Sequence, residues 1–186
     1  SIGSIPSIQN QVITVNGVAK GFAMTGWRIG YVAGPEWLIT ACNKIQGQFT
    51  SGANSIAQRA CITAMNEGQQ LSTEMKAVFL KRRDLTYDLL SSIPGIGLRK
   101  PQGAFYLFPD VSNYFSTSYQ QLTIRNANDL CEFILEDALV ALVSGEAFGS
   151  PNCIRISYAS ADSILIEACK RIKKSLSKLK RKGDLN

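Results

Sequence analysis

Lys20 and Arg28 lie eight residues apart in Asn16-Gly17-Val18-Ala19-Lys20-Gly21-Phe22-Ala23-Met24-Thr25-Gly26-Trp27-Arg28-Ile29-Gly30-Tyr31. Lys20 follows a short β-branched run and sits among small residues, with apolar Phe22, Ala23 and Met24 beside it. A lysine in that setting is expected to be poorly solvated, which lowers its pKa and makes its neutral amine a nucleophile toward carbonyls. Arg28 stands between Gly26 and Gly30, where little side-chain bulk blocks an approaching oxyanion. A guanidinium so placed suits a phosphate dianion. Read alone, each could equally be a surface lysine and a structural arginine at a strand edge. The glycine pattern around the two is what favours chemistry.

The rest of the composition narrows that chemistry. The chain contains no histidine, so it can build no Ser-His-Asp or Cys-His pair, no imidazole base and no histidine-bearing zinc site. Catalysis must use Lys, Asp/Glu, Tyr, Cys or a cofactor. The five cysteines, at 42, 61, 131, 153 and 169, are odd in number and far apart, with no C-x-x-C. Neither a disulfide framework nor a thiolate metal site is expected, and buried free thiols in a reducing compartment explain them best. No metal site is therefore assigned.

Charge is unevenly placed. Lys170, Arg171, Lys173, Lys174, Lys178, Lys180, Arg181 and Lys182 are eight of the 20 basic residues, leaving twelve against 14 acids over the whole chain. The body is not basic, so nucleic acid is not an expected partner. The tail reads as the solvated face of a terminal helix. No apolar run is long enough for a bilayer and no signal peptide is seen, so a cytoplasmic protein without a membrane partner is expected.

The elements that must position these residues read as α/β. Strands are expected at 12–15, 28–34, 104–108, 139–143 and 154–158, where Ile154, Ile156 and Tyr158 alternate with Arg155 and Ser157. Helices are expected from Glu36 with Trp37, Leu38, Cys42 and Ile45 inward, over 56–65, over 71–90 with Met75, Phe79, Leu85 and Leu89 inward, and over 127–137. A last helix from Ser160 aligns Leu165, Cys169, Ile172, Leu176 and Leu179. The polar stretch 112–126 reads as a loop. Two pieces result: 1–68, the end of a larger sheet domain, and 69–186, a small α+β domain.

The stretch around Lys20 resembles the lysine signature of class I/II aminotransferases, fold type I enzymes that use pyridoxal 5'-phosphate. Gly17, Ala19, Lys20, Gly26, Arg28 and Gly30 fill its fixed positions. The segment 48–58 resembles the family's interface loop, Pro101-Gln102-Gly103-Ala104-Phe105-Tyr106 its Pro-x-Gly-Ala-Phe-Tyr strand, and Ile154-Arg155-Ile156-Ser157-Tyr158-Ala159 the strand whose arginine holds the substrate carboxylate. The likeness is to the C-terminal half of prokaryotic-type aspartate aminotransferases. It implies that Lys20 links covalently to the cofactor and moves a proton. Arg28 would bind the cofactor phosphate, and Arg155 the α-carboxylate of an amino acid or 2-oxo acid. Aspartate and 2-oxoglutarate are the expected pair, and a homodimer the expected assembly.

Departures bear on specificity. Some branches carry a phosphate-binding serine where this chain has Gly17, and Gln46-Gly47-Gln48 lacks the basic residue that reads a distal carboxylate in animal-type enzymes. Prephenate or aromatic substrates stay open, as do an effector domain of a transcription regulator and a non-catalytic anion-binding module. A start at Ser1 without Met suggests a piece of a longer chain, one not expected to be active alone.

Overall fold

A computed structural model describes residues 1–181. After two 3-10 turns, Ile2–Ser4 and Gln9–Gln11, come a strand β1 (Thr14–Gly17) and a strand β2 (Gly30–Ala33), paired antiparallel from Thr14↔Ala33 to Gly17↔Gly30. Between them runs a four-residue helix α1 (Val18–Gly21) and a 3-10 turn over Thr25–Trp27. The expected strand at 12–15 therefore starts later and takes in Asn16 and Gly17, and the second is shorter than 28–34. Gly17 is needed here because a Cβ would lie 3.0 Å from the Ile29 carbonyl oxygen and 3.3 Å from Gly30 Cα.

Two helices follow, α2 (Glu36–Phe49) and α3 (Ser55–Glu67). The Asn54 side chain starts α3 by accepting hydrogen bonds from the Ile56 and Ala57 amides, at 2.9 and 3.1 Å. Ala57 and Cys61 on α3 are buried, and Cys61 joins Val18 and Met24 in a small cluster with Phe22 against it. The apolar stripe of α2 is largely open rather than buried as expected: Trp37 is 73% and Ile45 61% exposed and Cys42 is open, while Leu38 is half-buried. Helical spacing identifies a stripe but supplies no surface to cover it, and none of the described residues buries it.

A long helix α4 (Gln69–Ser91) carries the chain from one compact unit, Ser1–Lys76, into the next, Ala77–Asn186. The division between the two units falls inside α4. Phe79 and Leu89 pack toward the second unit's core as expected, while Met75 is exposed.

The second unit is built on two small sheets. One has the order β3-β7-β6, from β3 (Tyr106–Leu107), β7 (Ile154–Ser157) and β6 (Val143–Ser144). The other has the order β5-β4-β8, from β4 (Thr117–Tyr119), β5 (Leu122–Thr123) and β8 (Lys180–Arg181). That hairpin corrects the expected loop at 112–126: Thr117 is buried and Tyr119 packs on Phe133, so a polar-looking stretch has an inner face of its own. Helices α5 (Ala127–Ala138) and α6 (Asp162–Leu176) complete the unit. Leu107, Leu130, Ile134, Ile154 and Ile172 form its centre, each no more than 1% exposed, and each such side chain contributes about 2 kcal/mol on burial.

The expected strand at 139–143 fails at its start. Leu139 closes α5 in the left-handed conformation (φ 55°) and is 76% exposed, so pairing begins only at Val143. The basic tail is also only partly helical. Lys170, Arg171, Lys173 and Lys174 lie on the open face of α6, but the helix stops at Leu176, and Lys180 and Arg181 pair with β4. Lys182 lies outside the described residues.

Lys178 reaches Asp137 on α5 at 2.5 Å. Its ammonium hydrogen bond holds the Asp137 carboxyl below the ordinary carboxylate range. A depressed carboxyl stabilises the fold above its unfolded pKa and loses that contribution as pH falls through the folded value. Asp137→Asn is therefore expected to lower the melting temperature at neutral pH and to flatten the loss of stability below about pH 4, read by thermal unfolding across pH.

Candidate active site

The β1–β2 hairpin decides where Lys20 and Arg28 stand. Because Gly17 pairs with Gly30, the residues just after β1 and just before β2 leave the same end of the ribbon. Lys20 sits on α1, three residues past β1, and Arg28 two residues before β2. The structure thus brings the two cations to one end of one small sheet. Val18, the first residue of α1, is fully buried, and two residues further round a helix the chain faces the other way, so Lys20 is exposed. The expectation of a poorly solvated lysine is not met within this chain: its apolar neighbours Val18 and Met24 turn into the cluster with Cys61 and leave Lys20 outside.

Arg28 is also exposed, and its backbone is strained. It adopts φ 53° and ψ 48°, the left-handed region, which a non-glycine residue enters at a cost of about 1 kcal/mol or more. One guanidinium nitrogen donates to the Thr25 carbonyl oxygen at 3.0 Å. This bond ties the side chain back over its own 3-10 turn while its other N–H groups stay available. Gly26 beside it has nothing within 4 Å of a Cβ position, so the approach is open.

Arg155 belongs to the second unit and lies at the centre of β7, half-buried. Ile154 and Ile156 turn into the core, which sends Arg155 to the opposite face of the sheet. Its guanidinium carbon is 4.5 Å from the ring centroid of Tyr106 and 4.6 Å from that of Phe148. Among the described residues, Arg155 forms no ion pair with a carboxylate. The two rings are the part of this arrangement that sequence reasoning missed. Tyr106 was visible only as part of a strand. Phe148, at the end of a 3-10 turn (Gly145–Phe148) seven residues before Arg155, carries no periodic signal at all.

The other titratable groups are not arranged for chemistry. The two inaccessible thiols, Cys61 and Cys169, sit in apolar clusters, and burial pushes Cys169 up to about 11. Cys131 is raised to about 11 by the same cause, with Glu132 adding to it. Thiols held protonated in this way are inert. Cys42 is exposed, contrary to the expectation of burial, and all five cysteines are free. Among the described residues no group of three or more metal-ligating side chains clusters, and no helix is long and apolar enough to cross a membrane.

A mixed α/β chain with a lysine and an arginine on one hairpin end, and an arginine between two aromatic rings on a central strand, carries side chains of the kinds a pyridoxal-phosphate-dependent transferase uses. The family Aminotransferase class I and II matches residues 4–172, and the chain belongs to that family. It is 47% identical over 184 residues to a bifunctional aspartate aminotransferase and glutamate/aspartate-prephenate aminotransferase of Petunia hybrida, covering 97% of this chain and 38% of that one. An aspartate aminotransferase of Pinus pinaster is 48% identical over 181 residues, covering 95% of this chain and 37% of its own length. The crystal structure of the aspartate aminotransferase from Rhizobium meliloti superposes with a TM-score of 0.89 at 42% identity, over 94% of this chain and 44% of that one. The chain thus spans well under half the length of these relatives.

Members of this family use pyridoxal phosphate, and the residues present fit it in kind. The hairpin end offers one primary amine for the aldehyde and one guanidinium with spare donors for the phosphate. A Cβ at Gly21 or Gly26 would meet nothing within 4 Å, so the space beside both cations is free.

Proposed function

We propose that the protein transfers an amino group between an amino acid and a 2-oxo acid, with aspartate and 2-oxoglutarate as the principal pair. The observation that carries this reading is the hairpin end bearing Lys20 and Arg28 in a chain of this family. Bound pyridoxal phosphate supplies an aldehyde that captures amines and a ring that accepts electrons from the substrate. Arg28 holds the phosphate through the N–H groups that Thr25 leaves free. Lys20 Nζ is the amine that would hold the aldehyde between turnovers, and as a free base it would carry the proton from substrate Cα to the carbon that had been the aldehyde's. Arg155 binds the α-carboxylate by two parallel N–H···O bonds, and this orientation selects which bond at Cα breaks.

Prephenate is the second acceptor we propose, because the Petunia hybrida relative is named for both activities. A homodimer in the cytoplasm is the assembly and compartment we assign. The test is to add pyridoxal phosphate to the intact protein, reduce with borohydride and locate the modified lysine by peptide mass spectrometry. Modification at Lys20 is expected. Scattered modification of the α6 lysines, with Lys20 unlabelled in a protein that transaminates, would overturn the assignment.

A further inference from the structure

We infer that Tyr106 and Phe148 form an aromatic clamp that positions Arg155 for a ligand carboxylate, an inference that rests on reading Arg155 as the carboxylate receptor. The two rings reach the guanidinium from either side of β7. Tyr106 comes from β3, where it pairs with Ser157 and so shares the sheet face of Arg155 as its diagonal neighbour. Phe148 comes from the turn after β6, whose Val143 pairs with Arg155. The near-equal distances of 4.5 and 4.6 Å place the cation within attractive range of both rings.

Each ring is itself held. Phe108 meets Phe148 edge-on, with centroids 6.2 Å apart at 82°. Phe105 lies 4.3 Å from the Tyr106 ring, and the backbone before it is fixed at Ala104, which adopts φ 61°. The Ala104 carbonyl accepts the Tyr158 hydroxyl at 2.9 Å, and the Phe105 carbonyl accepts the Tyr158 amide at 3.0 Å. The Phe148 turn opens on Gly145, where a Cβ would lie 2.3 Å from the Ser150 carbonyl oxygen and 2.6 Å from that of Cys153. Only glycine lets the turn close this far.

The chemistry explains why rings and not an acid do the holding. A carboxylate partner would fix Arg155 but would consume the same N–H donors a ligand needs. Ring quadrupoles attract the cation and restrict its rotamers while leaving all five N–H groups unused. The open edge of the planar fork then fits a carboxylate in a bidentate pair. Tyr106 and Phe148 are positioning residues, and their effect falls on both substrates, because both carry the α-carboxylate.

The experiment compares Tyr106→Leu and Phe148→Leu with the aromatic exchanges Tyr106→Phe and Phe148→Tyr in the cofactor-loaded intact protein. Each leucine variant is expected to raise KM for the amino acid and the 2-oxo acid by about tenfold while kcat falls less, and each aromatic exchange to restore KM to within about twofold. Equilibrium binding of an unreactive carboxylic acid, followed by calorimetry, should weaken in parallel. Leucine variants with unchanged KM and unchanged carboxylate binding would overturn the clamp. Phe148 is 49% exposed, so Phe148→Leu decides the matter if Tyr106→Leu does not fold. Arg155→Ala separates the two layers. Carboxylate binding lost there but kept in the leucine variants overturns the clamp alone. Binding kept in Arg155→Ala overturns the reading of Arg155 and the clamp with it.

Discussion

Lys20→Ala is expected to lower the kcat/KM of the intact protein by about a thousandfold or more, the usual scale for losing a positioned base, with the covalent nucleophile lost besides. Lys20→Arg should do no better. Arginine keeps the positive charge but stays protonated at every accessible pH, so it can neither attack a carbonyl nor accept a proton from Cα. Equal loss in the two variants therefore separates chemistry from charge. Lys20 is exposed on a four-residue helix whose burial comes from Val18, so neither variant removes core packing. Steady-state kinetics and thermal unfolding check the pair. An Arg variant that retained most of the activity would show that Lys20 acts only as a cation.

The legibility of this site in the sequence follows how local each determinant is. The hairpin that carries Lys20 and Arg28 was readable because its glycines allow close approaches along a short stretch of chain: Gly17 against Ile29 and Gly30 is a backbone contact within one hairpin. The buried stripe of α6 was readable because Leu165, Cys169, Ile172 and Leu176 repeat at helical spacing and face a core present in the same unit. The stripe of α2 has the same periodicity yet holds no fully buried residue, since spacing reports a face and not its cover. The start of the strand expected at 139–143 was lost to a single left-handed residue, Leu139, a choice that no propensity of leucine announces. Phe148 was invisible for a related reason. It meets Arg155 through sheet order β3-β7-β6 and a 3-10 turn, and neither is written in the spacing of residues 148 and 155.

Arg155→Lys carries the second large effect, because the site asks for a plane rather than a charge. A lysine ammonium in this position would still be attracted by the Tyr106 and Phe148 rings. It would have no planar fork, so it could offer a carboxylate one strong bond at a time instead of two parallel ones. The carboxylate would then turn about that single contact, and the Cα–H bond would lose its fixed orientation. We expect kcat/KM to fall by about a hundredfold for both the amino acid and the 2-oxo acid, with the loss shared between KM and kcat. A simple amine without a carboxylate, reacted in single turnover with the loaded protein, should show little change. That contrast is the measurement to make. A loss of the same size with the simple amine would mean that Arg155 supports the fold or the cofactor, and a retained kcat/KM with the amino acid would mean that charge alone suffices. The half-buried position on β7, with Ile154 and Ile156 packed into the core beside it, keeps the backbone in place in either case. The difference between lysine and arginine at this position thus reports the geometry of ligand binding.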